Sequence, residues 1–187
     1  MRERLEEAMG DGRVISLDRS AFEHDDEIGY VVAMGTDLFV LLRVADNIRF
    51  DGFSVLRIAD VNDVEVPYEH DEFVESALRL RGETVDEPPE IDLSDWMTAV
   101  RSAGRLGEVI TLHSEERDAG ICQIGHIRSV NDENVTLVEI DPDADWYEEP
   151  TTIAIADLTR VDVGGSYEEA LVLVGGPCPI PILRSVD

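Results

Sequence analysis

The side chains that could do chemistry in this chain are few and scattered. Cys122 and His126 lie an even number of residues apart in a strand-like stretch, so they share a face, and His113 is close by. A thiolate and imidazoles are zinc ligands, but a structural zinc needs four, usually in paired spacing, and no such set follows. Asp141-Pro142-Asp143-Ala144-Asp145 opens like a calcium loop, with carboxylates at alternate positions to supply hard oxygens. It then departs from one: Trp146 stands where glycine is needed, and Thr152 where a bidentate glutamate is needed. A solvated hairpin loop is expected there, with no metal and no cofactor. The chain also lacks Gly-x-Ser-x-Gly, a phosphate-cradling glycine loop and His-Glu-x-x-His. A general acid or base needs a shaped pocket that shifts its pKa, and isolated histidines among carboxylates do not make one. The expectation is a protein that is not an enzyme.

The elements that would position these residues occur twice. Val14-Ile15-Ser16-Leu17 returns as Val109-Ile110-Thr111-Leu112, Ile28-Gly29 as Ile124-Gly125, and Ile58-Ala59-Asp60-Val61 as Ile155-Ala156-Asp157-Leu158. The offset stays between 95 and 97 residues out to Val66 and Val163, which reads as two copies of one module. Each copy reads as helix, five short strands, helix. Leu5, Ala8 and Met9 stripe the first helix; Trp96, Met97, Val100 and Ala103 stripe its counterpart, after Ser94 or Asp95 as N-cap. Strands follow at 13–18 and 108–113. Hairpins then turn at Gly35-Thr36-Asp37 and at Asn131-Asp132-Glu133-Asn134, residues that tolerate positive φ or bond their own backbone. Fourth strands at 53–58 and 151–155 lead through a tight turn into short last strands at 64–66 and 161–163. Closing helices carry Phe73, Val74, Ala77 and Leu78, then Tyr167, Ala170, Leu171 and Val174. The organisation is therefore a first module at 1–81, an acidic Pro-containing linker at 82–92, a second module at 93–174, and a Pro-rich extended tail at 175–187 whose Ile180, Ile182 and Leu183 would pack on something.

This order of elements, with the glycine of the second strand (Gly29, Gly125) followed by alternating apolar residues, resembles the small SH3-like barrels and the Sm-like version in particular. The resemblance spans most of both copies. It implies two tandem five-stranded barrels, each flanked by short helices, in a mainly β (α+β) fold. Sm-like proteins read RNA with the turns between strands two and three and between strands four and five. Only Asn131-Asp132-Glu133-Asn134 is reminiscent of the first turn. The second normally carries an Arg-Gly step, where this chain has Arg57-Ile58-Ala59-Asp60 and Ile153-Ala154-Ile155-Ala156-Asp157. RNA binding does not carry over on that basis.

Charge sets the partner class. Across 187 residues the formal net charge is −27, and all 15 basic residues are arginine. Host composition accounts for this readily, because the acid is spread over both copies. An acidic face made to meet a basic partner is the functional alternative. Nucleic acid is disfavoured, since phosphate binding relies on cations displacing counterions. Neither a signal peptide nor a membrane span is legible, and two cysteines suggest no disulfide framework, so a cytoplasmic protein is expected.

These readings converge on a non-catalytic protein-binding module, an adaptor or antagonist acting through acidic loops or barrel edges. Its two barrels would pack about a pseudo-twofold, and a homo-oligomer is open. The candidate contacts are Asp25, Asp26 and Glu27 in one acidic loop, and Asp143, Asp145, Trp146, Tyr147 and Glu148 in another. Phe50 aligns with Trp146, which favours a barrel lid at that position. The alternative is an Sm-like RNA-binding protein using a local patch of Arg43, Arg49 and Arg57.

Overall fold

The structure, a computed structural model, describes residues 1–22, 26–85 and 87–179. Helix α1 (Arg2–Asp11) buries Leu5 and Ala8 and ends where Gly12 takes a left-handed conformation. Strands β1 (Val14–Asp18), β2 (Glu27–Met34), β3 (Leu38–Val44) and β4 (Phe50–Arg57) follow, then a 3₁₀ turn, β5 (Asp63–Glu65) and α2 (Asp71–Leu80). The second half repeats this order with α3 (Trp96–Ala103), β6 (Ile110–His113), β7 (Cys122–Val130), β8 (Asn134–Glu139), β9 (Thr151–Ala154), a 3₁₀ turn, β10 (Arg160–Val163) and α4 (Ser166–Gly175). Asp95, not Ser94, caps α3: its carboxylate accepts from the Thr98 amide at 2.8 Å, and the Thr98 hydroxyl accepts from the Asp95 amide. The tail expected to pack through Ile180, Ile182 and Leu183 lies outside the described residues beyond Pro179.

All ten strands join one antiparallel sheet, in the order β5-β1-β2-β3-β4-β10-β6-β7-β8-β9. Each half thus contributes five strands in the same internal order. The matching hairpins carry matching bulges, between Val31 and Ala33 and between Ile127 and Ser129, which sharpen twist and bend the ladder. The fold is mainly β, as expected, but the sheet is continuous across the halves and is not closed. The expected pseudo-twofold is corrected by the pairing. A twofold joins like to like, whereas here β4 of the first half pairs with β10, the fifth strand of the second. The joint is head-to-tail, with Val161 opposite Val55 and Val163 opposite Phe53.

Alternation along β3 and β4 explains why the halves cannot be separated cleanly. Phe39, Leu41 and Leu56 face a first core with Leu5, Ile15, Leu17 and Val64. Leu38, Val40 and Val55 face the other way, into a core that also holds Val100, Leu112, Leu137, Leu158 and Val161. The second core is therefore built from both halves. Gly29 and Gly125 sit where a Cβ would collide with the carbonyl oxygens of Leu42 and Val138, so the close approach of β2 to β3, and of β7 to β8, calls for glycine. No helix among the described residues is long and apolar enough to cross a membrane.

Candidate functional site

The densest polar chemistry lies at the β4–β10 joint. Asp162 of β10 is almost wholly buried, and its carboxylate accepts from the Ser54 hydroxyl at 2.6 Å and from Arg160 Nε at 2.7 and 2.9 Å. His113 Nε2 lies 3.0 Å from its other oxygen, and Arg43 Nη1 is 3.7 Å away. Arg160 reaches back across the joint to Glu27. Arg19 has no exposed side-chain surface; it donates to Glu115 at 2.5 and 3.2 Å and lies 3.8 Å from Glu27. Burial alone would raise the carboxyl pKa of Asp162, but Arg160, His113 and Arg43 hold it far below the ordinary carboxylate range. Glu115 is likewise lowered against the cost of burial, by Arg19 and the Thr159 hydroxyl. Beside this network Asp26, Glu27, Arg43, Asp51 and Arg160 line a polar cleft of about 350 Å³.

This constellation binds the halves together through Ser54–Asp162, Glu27–Arg160 and Arg19–Glu115. Cys122 stands opposite His113 in the β6–β7 ladder, an arrangement that invites a thiol–imidazole–carboxylate reading with Asp162. A nucleophilic cysteine needs a lowered pKa; partial burial and the nearby Asp162 and Glu168 carboxylates push this thiol up instead. His126 bonds through Nδ1 to the Glu108 carbonyl at 2.7 Å. Among the described residues, no three His, Cys, Asp or Glu side chains are grouped as a metal site would require.

The residues singled out in the sequence fall in two separate places. Asp25 lies outside the described residues. Asp26 is exposed and accepts from the Ser16 hydroxyl at 2.9 Å, while Glu27 is drawn into the ionic joint. Asp143 and Asp145 are exposed on the β8–β9 loop, their amides donating to Asp141 Oδ1 at 2.9 and 3.0 Å. Trp146 packs against a small cluster that includes Ile140, Ala144 and Leu171 and donates to the Gly176 carbonyl at 3.3 Å. Tyr147 and Glu148 are exposed beside it. Arg43, Arg49 and Arg57 do not form a free patch: Asp51 and Asp162 take the first, Glu83 the second, Asp60 and Glu116 the third. Sequence reasoning missed Arg19, His113, Glu115, Arg160 and Asp162 as a group. The available signal was Arg160-Val161-Asp162-Val163, which matches Asp63-Val64-Glu65-Val66 except that a cation, Arg160, stands where the first half has Asp63.

The two ends of the sheet differ. At β5 the edge strand is three residues long and carries exposed Asp63 and Glu65, the first paired with Arg4, charges that blunt an edge. At β9 the Ile155 amide donates to the Glu133 carbonyl at 2.8 Å, which fixes the ladder's alternation. Thr151 and Ile153 therefore turn their backbone groups to β8, and Thr152 and Ala154 turn theirs to the open side. The Thr151 hydroxyl donates to Glu139 of β8. Along this edge Ser114, Arg117, Asp118, Gln123 and Thr152 line a cleft of about 230 Å³, and Ser114 Oγ is buried without a hydrogen-bond partner among the described residues. Comparison with known protein families, with characterised proteins and with solved structures found no match.

Proposed function

We propose that this chain is a non-catalytic protein-binding module, two tandem Sm-like or SH3-like barrels fused edge to edge, whose partner is basic. The edge of β9, which no strand among the described residues covers, is the observation that carries this reading. The matching edge of the first half, β4, is covered by a strand of another module, so this type of edge is built to take one. The acidic β8–β9 loop, with Asp143, Asp145, Tyr147 and Glu148 exposed, leads directly into it, and a net charge of −27 favours encounter with cationic surfaces. The side chains that most resemble a catalytic group are instead committed to the joint between the halves. Three ion-paired arginines give the RNA-binding alternative no support.

Affinity capture from the native host at its own internal salt, read by mass spectrometry, tests the proposal. One stoichiometric protein of high isoelectric point is expected. Retention of RNA, or of nothing, overturns it.

A further inference from the structure

The two equivalent edges differ in charge, and the difference specifies what the free one accepts. At the covered edge Arg43 of β3 reaches past Ser54 of β4 to Asp162 on the incoming strand. In the second half the same ladder positions are Glu139, opposite Gly125 as Arg43 is opposite Gly29, and Thr151, which precedes the Ile-Ala-Asp turn at the same spacing as Ser54. Glu139 and the Thr151 hydroxyl are already in contact, so a strand laid on β9 meets a carboxylate where β10 met a guanidinium.

We propose that the free edge of β9 is a strand-docking surface whose ligand is an extended segment of a basic partner protein, antiparallel to β9, with an arginine or lysine opposite Thr151 and against Glu139. The proposal rests on the protein-binding reading above. Main-chain bonds come from the outward groups of Thr152 and Ala154, as in any strand addition to an open sheet edge. The ladder stops at Pro150, which has no N–H. Beyond it, Glu148 and Glu149 are exposed and meet further basic residues of the segment. On the other side of the edge lies the cleft with Ser114 Oγ. Arg19 holds the corresponding place in the first half, two residues after Leu17 as Ser114 is after Leu112, and fills it by pairing with Glu115. With serine there the space is left for a long side chain from the partner, with Asp118 and Gln123 on its wall.

A second copy of this chain does not fit. Of the two edge strands of a second copy among the described residues, β5 would bring Glu65 opposite Thr151 and next to Glu139, and β9, Thr151–Ala154, offers no basic residue at any position. Like charges facing each other across an interface reject a partner.

The probe is a synthetic peptide with the β10 sequence Thr159–Gly165, compared with the same peptide carrying Asp162→Lys. Binding is followed by NMR on the full-length chain. The lysine peptide is expected to shift the Thr152 and Ala154 amides and to bind about tenfold tighter than its parent. Glu139→Arg should invert that order. Thr152→Pro should abolish binding and lower the thermal midpoint only slightly, because it removes an outward N–H and, from the β8–β9 pairing, only the hydroxyl contact with Thr136 at 3.2 Å. Equal affinity for both peptides, shifts confined to another face, or self-association abolished by Thr152→Pro would each overturn the proposal. If wild type and Thr152→Pro capture the same stoichiometric host protein, the protein-binding reading stands and the assignment to β9 falls.

Discussion

Arg19 gives up all its water to sit between Glu115 and Glu27, and that commitment decides what its loss would do. A buried ion pair contributes little net stability compared with a well-packed apolar pair, yet removing one partner strands the other charge. Arg19→Ala should therefore cost about 3–5 kcal/mol in chemical denaturation, while Arg19→Met with Glu115→Leu recovers most of it. The carboxylates of this network also set an acid limit. Asp162 and Glu115 titrate below their ordinary values when folded, so the unfolded chain binds more protons in the acid range. Their stabilisation is whole above the unfolded pKa values of about 4 and is lost as the pH falls through the folded ones. Denaturant midpoints measured from neutral pH downward should fall steeply below about pH 4, and less so for Asp162→Asn, whose midpoint is already lower at neutral pH. A curve with the same acid slope in both proteins would remove Asp162 from this account.

At the scale of elements, the close strand approaches at Gly29 and Gly125 are sensitive points. A methyl group at Gly125 would meet the Val138 backbone carbonyl oxygen at 2.3 Å and Leu137 Cδ1 at 2.7 Å. Gly125→Ala should cost about 1–3 kcal/mol by overpacking, read as a lowered thermal midpoint. These elements were legible in the sequence because each has a local cause. Apolar runs mark β1 to β3, Gly-Thr-Asp and Asn-Asp-Glu-Asn mark the hairpins, and the Ile-Ala-Asp turn marks the end of β4 and of β9. The joint was not legible, since Val161 opposite Val55 is a pairing over long sequence separation that no local pattern encodes. The same is true of the candidate site. The exposed Asp143, Asp145, Tyr147 and Glu148 can be picked out by composition, whereas Glu27 reads identically and is consumed by Arg160. Whether a carboxylate greets a partner or a neighbouring strand depends on tertiary position alone.

The molecule as a whole carries its negative charge over both halves and one shared core. Self-repulsion at −27 destabilises the compact state and is screened by salt. The thermal midpoint should rise as sodium chloride increases from about 0.05 to about 1 M, followed by circular dichroism; no rise would mean the charges are already locally compensated. The core around Val40, Val55, Leu137 and Val161 predicts a second behaviour. Chains cut in the linker, 1–85 and 87–187, should each fold poorly alone and recover a one-to-one folded complex when mixed, as size-exclusion chromatography would show. The charged β5 edge has its own consequence. An assembly of identical open-edged units has no reason to stop growing, whereas this chain is blunted by charge at one end and open at the other. Its valence is one. Bound to a partner that itself polymerises through sheet edges, it would act as a terminator, setting the length of the partner's array and not joining it.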